Sequence, residues 1–319
     1  MKESEFIKKN SVFWRKLKKE LKRSGPLTCR DTFPDDYEKV CYQIGLSRQR
    51  GYNLELIDSL DSLALRMRQE LYRKPSLSLH NLLYQFLVET PRVIRGNFSY
   101  VLAALFLFTL PAIATYFILL KQPHLAFVLI DPANIEHIED MYRDNAPHLG
   151  APADVDSRVM MFGYYIKNNI GIDFSCFAGG ILVGIGSIFF LVFNGFFLGT
   201  IFGHLENQGL GYNLSLFVVS HAPMELMALV FSGAAGMKMG FSFLIPGPYT
   251  RLHSLRKSSL IGVKFLILAA IMTFVAAAIE AYWSSLPHLD MQSRVIFSLS
   301  NVLLIGAYVG LLGWKRGPI

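Results

Sequence analysis

Residues 97–120 read NFSYVLAALFLFTLPAIATYFILL, with no charged side chain anywhere in the run. A helix rising about 1.5 Å per residue crosses a hydrocarbon core about 30 Å thick in roughly 20 apolar residues. This stretch is long enough and apolar enough to do so. Four further segments share its character. Residues 174–203 (FSCFAGGILVGIGSIFFLVFNGFFLGTIFG) and 295–313 are uncharged, 214–236 carry only His221 and Glu225 as ionisable groups, and 260–283 carry only Lys264 and Glu280. The expected fold class is all-α: a polytopic α-helical membrane protein with five to six crossings, one of them broken or re-entrant.

Composition agrees. The 319-residue chain is 52% hydrophobic and 17% charged, against roughly 25% charged in an ordinary globular domain. Its 25 Gly and 14 Pro are scattered without a period, which excludes a collagen-like chain. Cys29, Cys41 and Cys176 form no CxxC pair. A disulfide framework, a zinc ribbon and a thioredoxin-like centre are thereby excluded.

Charge is divided unevenly. Residues 1–97 hold 19 of the 31 Lys and Arg against 12 of the 24 acids, so the whole formal excess of +7 lies there. The chain opens MKESEFIKKN, without the apolar core of a signal peptide. Apolar spacing predicts helices over 3–24, 35–50, 53–74 and 77–90, with Asn53 as an N-cap and Pro75 as a stop. Residues 1–96 are thus expected to form a basic cytoplasmic helical domain, and residues 97–319 a transmembrane domain. The basic face is either a solvated surface that sets orientation or a docking surface for protein or anionic head groups. Residues 121–173 set Lys121, Arg143, Arg158 and Lys167 against eight acids. They read as an acidic extracytoplasmic loop.

Lys and Arg favour the cytoplasmic side, which puts the N-terminus inside a bacterial inner membrane. The run 174–203 is too long for one straight crossing. Breaking it at Asn194-Gly195 gives six crossings and leaves 251–257 and Lys315-Arg316 inside; a re-entrant hairpin is the fallback. Half-length helices of this kind need protein around them. Gly180 and Gly184, and again Gly195, Gly199 and Gly203, recur at four-residue intervals. That spacing lets helix backbones approach, so a homo-oligomer through this face is expected.

Ionisable groups inside a bilayer are costly and point to function. His221 and Glu225 lie one turn apart on one helical face, with Pro223 loosening the backbone between them. The pair could share a proton, bind a metal with further ligands, or pin a neighbouring helix. It supplies two donors where a metal needs at least three, so no metal or cofactor is expected. Asn168, Asn169, Asn194 and His204 (with Glu206) are the groups that could complete the site. Glu280, three residues before Trp283, is expected at a head-group boundary. HExxH, GxSxG and Walker motifs are absent, so catalysis is not expected, nor is a nucleic-acid partner.

Four landmarks occur in order: LDSLALRMRQELYR (60–73), FLVETPRVIRGNF (86–98), YIKNNIGIDFSCFAGGILVGIGSIFFLVFNGFFLGTIFGHL (165–205) and SHAPMELMALVFSGAAGMKMG (220–240). Together they resemble the stage II sporulation protein M family over nearly the whole chain. Ala222 stands where that family often has Gly. The resemblance implies a membrane anchor without catalytic activity, which in the sporulating member holds peptidoglycan-remodelling enzymes. The long basic N-terminal region is more similar to the non-sporulating branch, often encoded beside a MoxR-type ATPase. The partners so implied are membrane lipids, cytoplasmic or envelope proteins, and a MoxR-type ATPase system. Three functions are carried forward. The first is a scaffold or assembly component of a cell-envelope complex. The second is a transporter, channel or lipid-handling protein using His221 and Glu225, and the third an intramembrane metal-dependent hydrolase.

Overall fold

The computed structural model describes residues 3–21, 33–71, 79–143, 155–286 and 289–313. The prolines 26 and 75 and the Lys315-Arg316 pair lie outside them. The described residues fall into two compact units, one within Met1–Leu82 and one over Leu83–Trp314.

In the first unit, α1 (Glu3–Glu20), α2 (Phe33–Gln49) and α3 (Leu54–Leu71) bury one apolar face each. Phe6, Trp14 and Leu17 pack with Val40 and Ile44 and with Leu60, Leu63 and Met67. Asn53 caps α3, its Oδ1 accepting from the Glu55 N–H at 3.0 Å. Trp14 Nε1 donates to Gln43 Oε1 at 2.7 Å, and Gln43 Nε2 donates to Asn10 Oδ1 at 2.9 Å. The polar groups drawn into this core are therefore paired.

The boundary falls within α4 (Leu79–Tyr84), and the second unit continues with a widened turn (Gln85–Glu89) and α5 (Thr90–Gly96). Then come α6 (Phe98–Lys121), α7 (Ala126–Leu129), α8 (Pro132–Tyr142), α9 (Val155–Ala178), α10 (Ile185–Asn207) and α11 (Gly211–Val218). It closes with α12 (Ala222–Leu244), α13 (Arg251–Ala278), a second widened turn (Ile279–Ser284) and α14 (Met291–Leu311). The fold is all-α, and among the described residues five helices are long and apolar enough to cross a membrane: α6, α10, α12, α13 through Ser284, and α14.

Close backbone contacts fix the direction of each pass. A Cβ on Gly195, Gly199 or Gly203 would run into Phe108, Ala112 and Tyr116 in turn. The numbers rise together, so α6 and α10 are parallel and a return pass must lie between them. That pass is α9. Along α12, Gly233, Gly236 and Gly240 meet Leu191, Ser187 and Gly184, so α12 runs against α10. Asp173 pairs with Thr273 and Phe177 abuts Gly262, so α9 runs against α13. Arg294 at the start of α14 bonds Ser284, while Tyr308 near its end bonds Phe86. Six long helices thus alternate in direction: α6, α10 and α13 run one way, and α9, α12 and α14 the other. Residues 83–97, 179–184, 245–250 and 312–313 share the near end, and 122–143, 208–221, 285–286 and 289–290 share the far end.

Three expectations need correction. α10 continues through Asn194-Gly195, because the Asn194 amide donates back to Phe190 O at 2.7 Å and leaves the helix ladder intact. The break lies instead at 179–184, where Val183 and Gly184 turn to φ of 58° and 87°, a backbone region natural for glycine. Residues 155–173, expected within the acidic loop over 121–173, are helical as part of α9 (Val155–Ala178). Last, residues 83–96 belong to the membrane unit. Tyr308 OH donates to Phe86 O at 2.6 Å, Arg92 Nε to Gly313 O at 2.5 Å, and Lys264 pairs with Glu89 at 2.5 Å.

The glycine stripe is occupied within the chain. Gly180 abuts Gly236, Gly184 abuts Gly240, and the other three lie on α6. The ground for an oligomer through this face is thereby removed. Gly199→Leu should drive α6 and α10 apart and cost about 1–3 kcal/mol, the usual range for overpacking. Thermal melts in detergent should show that loss, with the native mass unchanged.

Candidate functional site

At the far end, three chain segments converge. α11 ends at Val218, and the turn after it places His221 just before the first turn of α12, with Pro223 inside that turn. Glu225 follows one turn later. Glu280 enters from the other side, on the widened turn that extends α13. Such a turn holds one residue more than a regular helical turn and re-aims the side chains on it. Glu280, Ala281 and Ser284 are all buried.

His221, Glu225 and Glu280 each bring a nitrogen or oxygen atom into one group, all within 4.8 Å of one another. His221 Nε2 lies 3.8 Å from Glu225 Oε2. Its Nδ1 lies 3.1 Å from Ser284 Oγ, and Phe217 meets the ring edge-on at 5.4 Å. His221 is 3% and Glu280 8% exposed, and Glu280 Oε2 has no hydrogen-bond partner. Among the described residues, no lysine or arginine pairs with either carboxylate. Tyr142 at the end of α8 borders the group: burial, then the charges of Glu280 and Glu225, push its phenol above the ordinary range.

A second buried polar centre braces the first. Arg294, only 1% exposed, donates to four backbone carbonyls: Leu289 at 3.1 Å, Leu216 at 3.1 Å, Ser284 at 2.7 Å and Leu286 at 2.5 Å. Asn301 Nδ2 adds a bond to Ser220 O at 3.1 Å. The guanidinium thus ties α11, the end of α13 and the start of α14 around the residues that carry His221 and Ser284. Its charge is met by carbonyl dipoles and leaves the two glutamates uncompensated.

The other candidates are dispersed. His204 Nε2 sits 2.7 Å from Glu139 Oε1, holding α8 to the end of α10. Asn168 donates to Asn169 at 2.8 Å, and Asn168 and Asn194 line an open groove between α9 and α10. None of the four joins His221. Glu280, expected at a head-group boundary, is the group that does. Arg294 and Asp173 went unmarked in the sequence. Asp173, 2% exposed, accepts from Thr273 Oγ1 at 2.5 Å. A single acid or base within a helix bears no local signal of its tertiary partners.

The family model described as Stage II sporulation protein M matches residues 102–285, more than half of the chain, and the chain belongs to that family. Residues 4–73 match a domain of unknown function (DUF8413). The uncharacterized protein MJ0793 of Methanocaldococcus jannaschii is similar, 27% identical over 132 residues that cover 38% of this chain and 74% of that protein. No solved structure matches.

Proposed function

We propose that this member of the stage II sporulation protein M family is a membrane-embedded assembly component. Its six-pass bundle acts as a rigid platform, and its N-terminal unit and far-end segments hold partners. One observation carries the reading: buried polar groups on four of the bundle's helices join them to one another. Arg294 bonds four carbonyls, Asp173 binds Thr273, and His221 is buried against Ser284 and Phe217. A transport site would need such groups around an opening. The orientation follows from charge. Arg92, Arg95, Arg251, Arg256 and Lys257 gather at the near end, whereas Asp131, Glu136, Glu139 and Asp140 lie at the far end. By the positive-inside rule the near end faces the cytoplasm, in keeping with a multi-pass protein of the cell-envelope membrane.

The test compares the full chain with a variant lacking residues 1–78, each solubilised from native membranes. The full chain should migrate in an assembly well above its own 36.0 kDa, and the shortened chain should fold yet leave that assembly. A lone chain in both cases would sink the proposal.

A second reading, lipid or solute handling, is favoured by the groove between α9 and α10. It measures about 640 Å³ and sets Lys167, Asn168 and Asn194 beside Phe190, Phe193 and Phe197. Lys167 lies near the middle of α9, a costly place for a charge in a bilayer. Flux or lipid exchange in liposomes that is lost in Lys167→Leu would support it.

A further inference from the structure

We propose that His221, Glu225 and Glu280 form a binding site for one divalent transition-metal ion, such as Zn²⁺ or Mn²⁺, that joins α12 to the end of α13. The inference stands independently of the assembly reading, since a scaffold or a transporter could hold such an ion.

Four observations converge. The donor set comes first. One imidazole and two carboxylates suit Zn²⁺ or Mn²⁺; the nitrogen disfavours Ca²⁺ and Mg²⁺, and the lack of sulfur disfavours Cu⁺. Spacing comes second. The 3.8 Å between His221 Nε2 and Glu225 Oε2 is too long for a hydrogen bond. An ion about 2.0–2.2 Å from each donor fits between them, and the third donor lies within 4.8 Å of both.

The third observation is the shell around the ligands. Metal-bound histidines commonly donate their other ring N–H to a partner that fixes the tautomer. With Nδ1 donating to Ser284 Oγ at 3.1 Å, His221 Nε2 turns its lone pair toward Glu225. Ser284 is itself held by Arg294, which bonds its carbonyl at 2.7 Å. Fourth, Glu280 Oε2 is buried and has no hydrogen-bond partner. A buried carboxylate oxygen without a partner, beside a second carboxylate and with no lysine or arginine paired to it among the described residues, calls for a positive charge. A divalent ion meets that need for both glutamates at once.

The Glu225 side chain is 29% exposed, so the group is not sealed on every side within the bundle. Its three donors come from two helix ends that adjoin only in the folded bundle, so the ion would bind the native state and stabilise it.

The experiment uses the full-length protein in detergent, stripped with chelator and then given Zn²⁺ or Mn²⁺ alone. Wild type should take up about one ion per chain by elemental analysis, with a rise in melting temperature that chelator reverses. Glu280→Gln keeps shape and hydrogen bonding but loses the charge, and should weaken uptake at least tenfold while the stripped protein melts as wild type does. Glu225→Gln serves the same purpose should Glu280→Gln fail to fold. His204→Gln, at the other histidine–glutamate contact, should bind as wild type. No uptake and no melting shift by wild type with either ion would overturn the proposal. Undiminished uptake by Glu280→Gln or Glu225→Gln, or loss of uptake in His204→Gln alone, would overturn it equally.

Discussion

Arg294→Leu should cause the largest loss of stability of any single change at the far end of the bundle. The guanidinium donates to carbonyls of Leu216, Ser284, Leu286 and Leu289. Leucine fills part of the volume and donates nothing. Each buried carbonyl left without a donor costs about 1–3 kcal/mol. Even with partial relaxation, four of them add to about 4 kcal/mol or more, a large share of the 5–15 kcal/mol that separates folded from unfolded in an ordinary domain. Arg294→Lys should recover only a minority of the loss, because a compact ammonium lacks the planar fork that reaches four acceptors in different directions. Thermal melts and expression yield in detergent would check both. A leucine variant that melts with wild type would show that water or lipid head groups satisfy these carbonyls instead. Asp290 supports the same region. Its Oδ1 accepts from the Ser293 N–H at 3.3 Å and so caps α14, and the Ser293 hydroxyl, then that N–H, lower its carboxyl below the ordinary range.

The other large effect is categorical. Single cysteines introduced at Leu182 and His253 should be labelled from the same face of the membrane, and one at Asp131 from the opposite face. Leu182 follows α9 at the near end, and His253 lies in the first turn of α13 at that end. Asp131 caps α8 at the far end, its Oδ1 accepting from Ala133 at 2.9 Å. The native Cys29, Cys41 and Cys176 would be replaced beforehand. With α9 as a full pass, an impermeant reagent added to one side should mark either Asp131 or the other pair, never all three. Labelling of Leu182 together with Asp131 would reduce the bundle to five crossings and remove α9 from it.

The all-α membrane fold was legible in the sequence because long uncharged runs have few other uses, and because helix length and bilayer thickness match. The α3 cap at Asn53 was legible too, being local. The direction of the passes was hidden. Lys167, Asn168, Asn169 and Asp173 lower the apolar character of α9, so it resembles a loop until Thr273 is seen to pair with Asp173. Asn194-Gly195 resembles a break because both residues favour turns, yet tight packing on α6 holds the helix through them. In the candidate site, the one-turn spacing of His221 and Glu225 was visible as helical periodicity. The arrival of Glu280, the four carbonyls around Arg294 and the inward use of the glycines were not. Sequence by itself sets what is within a turn or two along a helix, since those distances follow from backbone geometry. Which helix ends meet across the bundle is decided only when all six passes pack, because each contact joins residues far apart in the chain and its geometry depends on every neighbour at once.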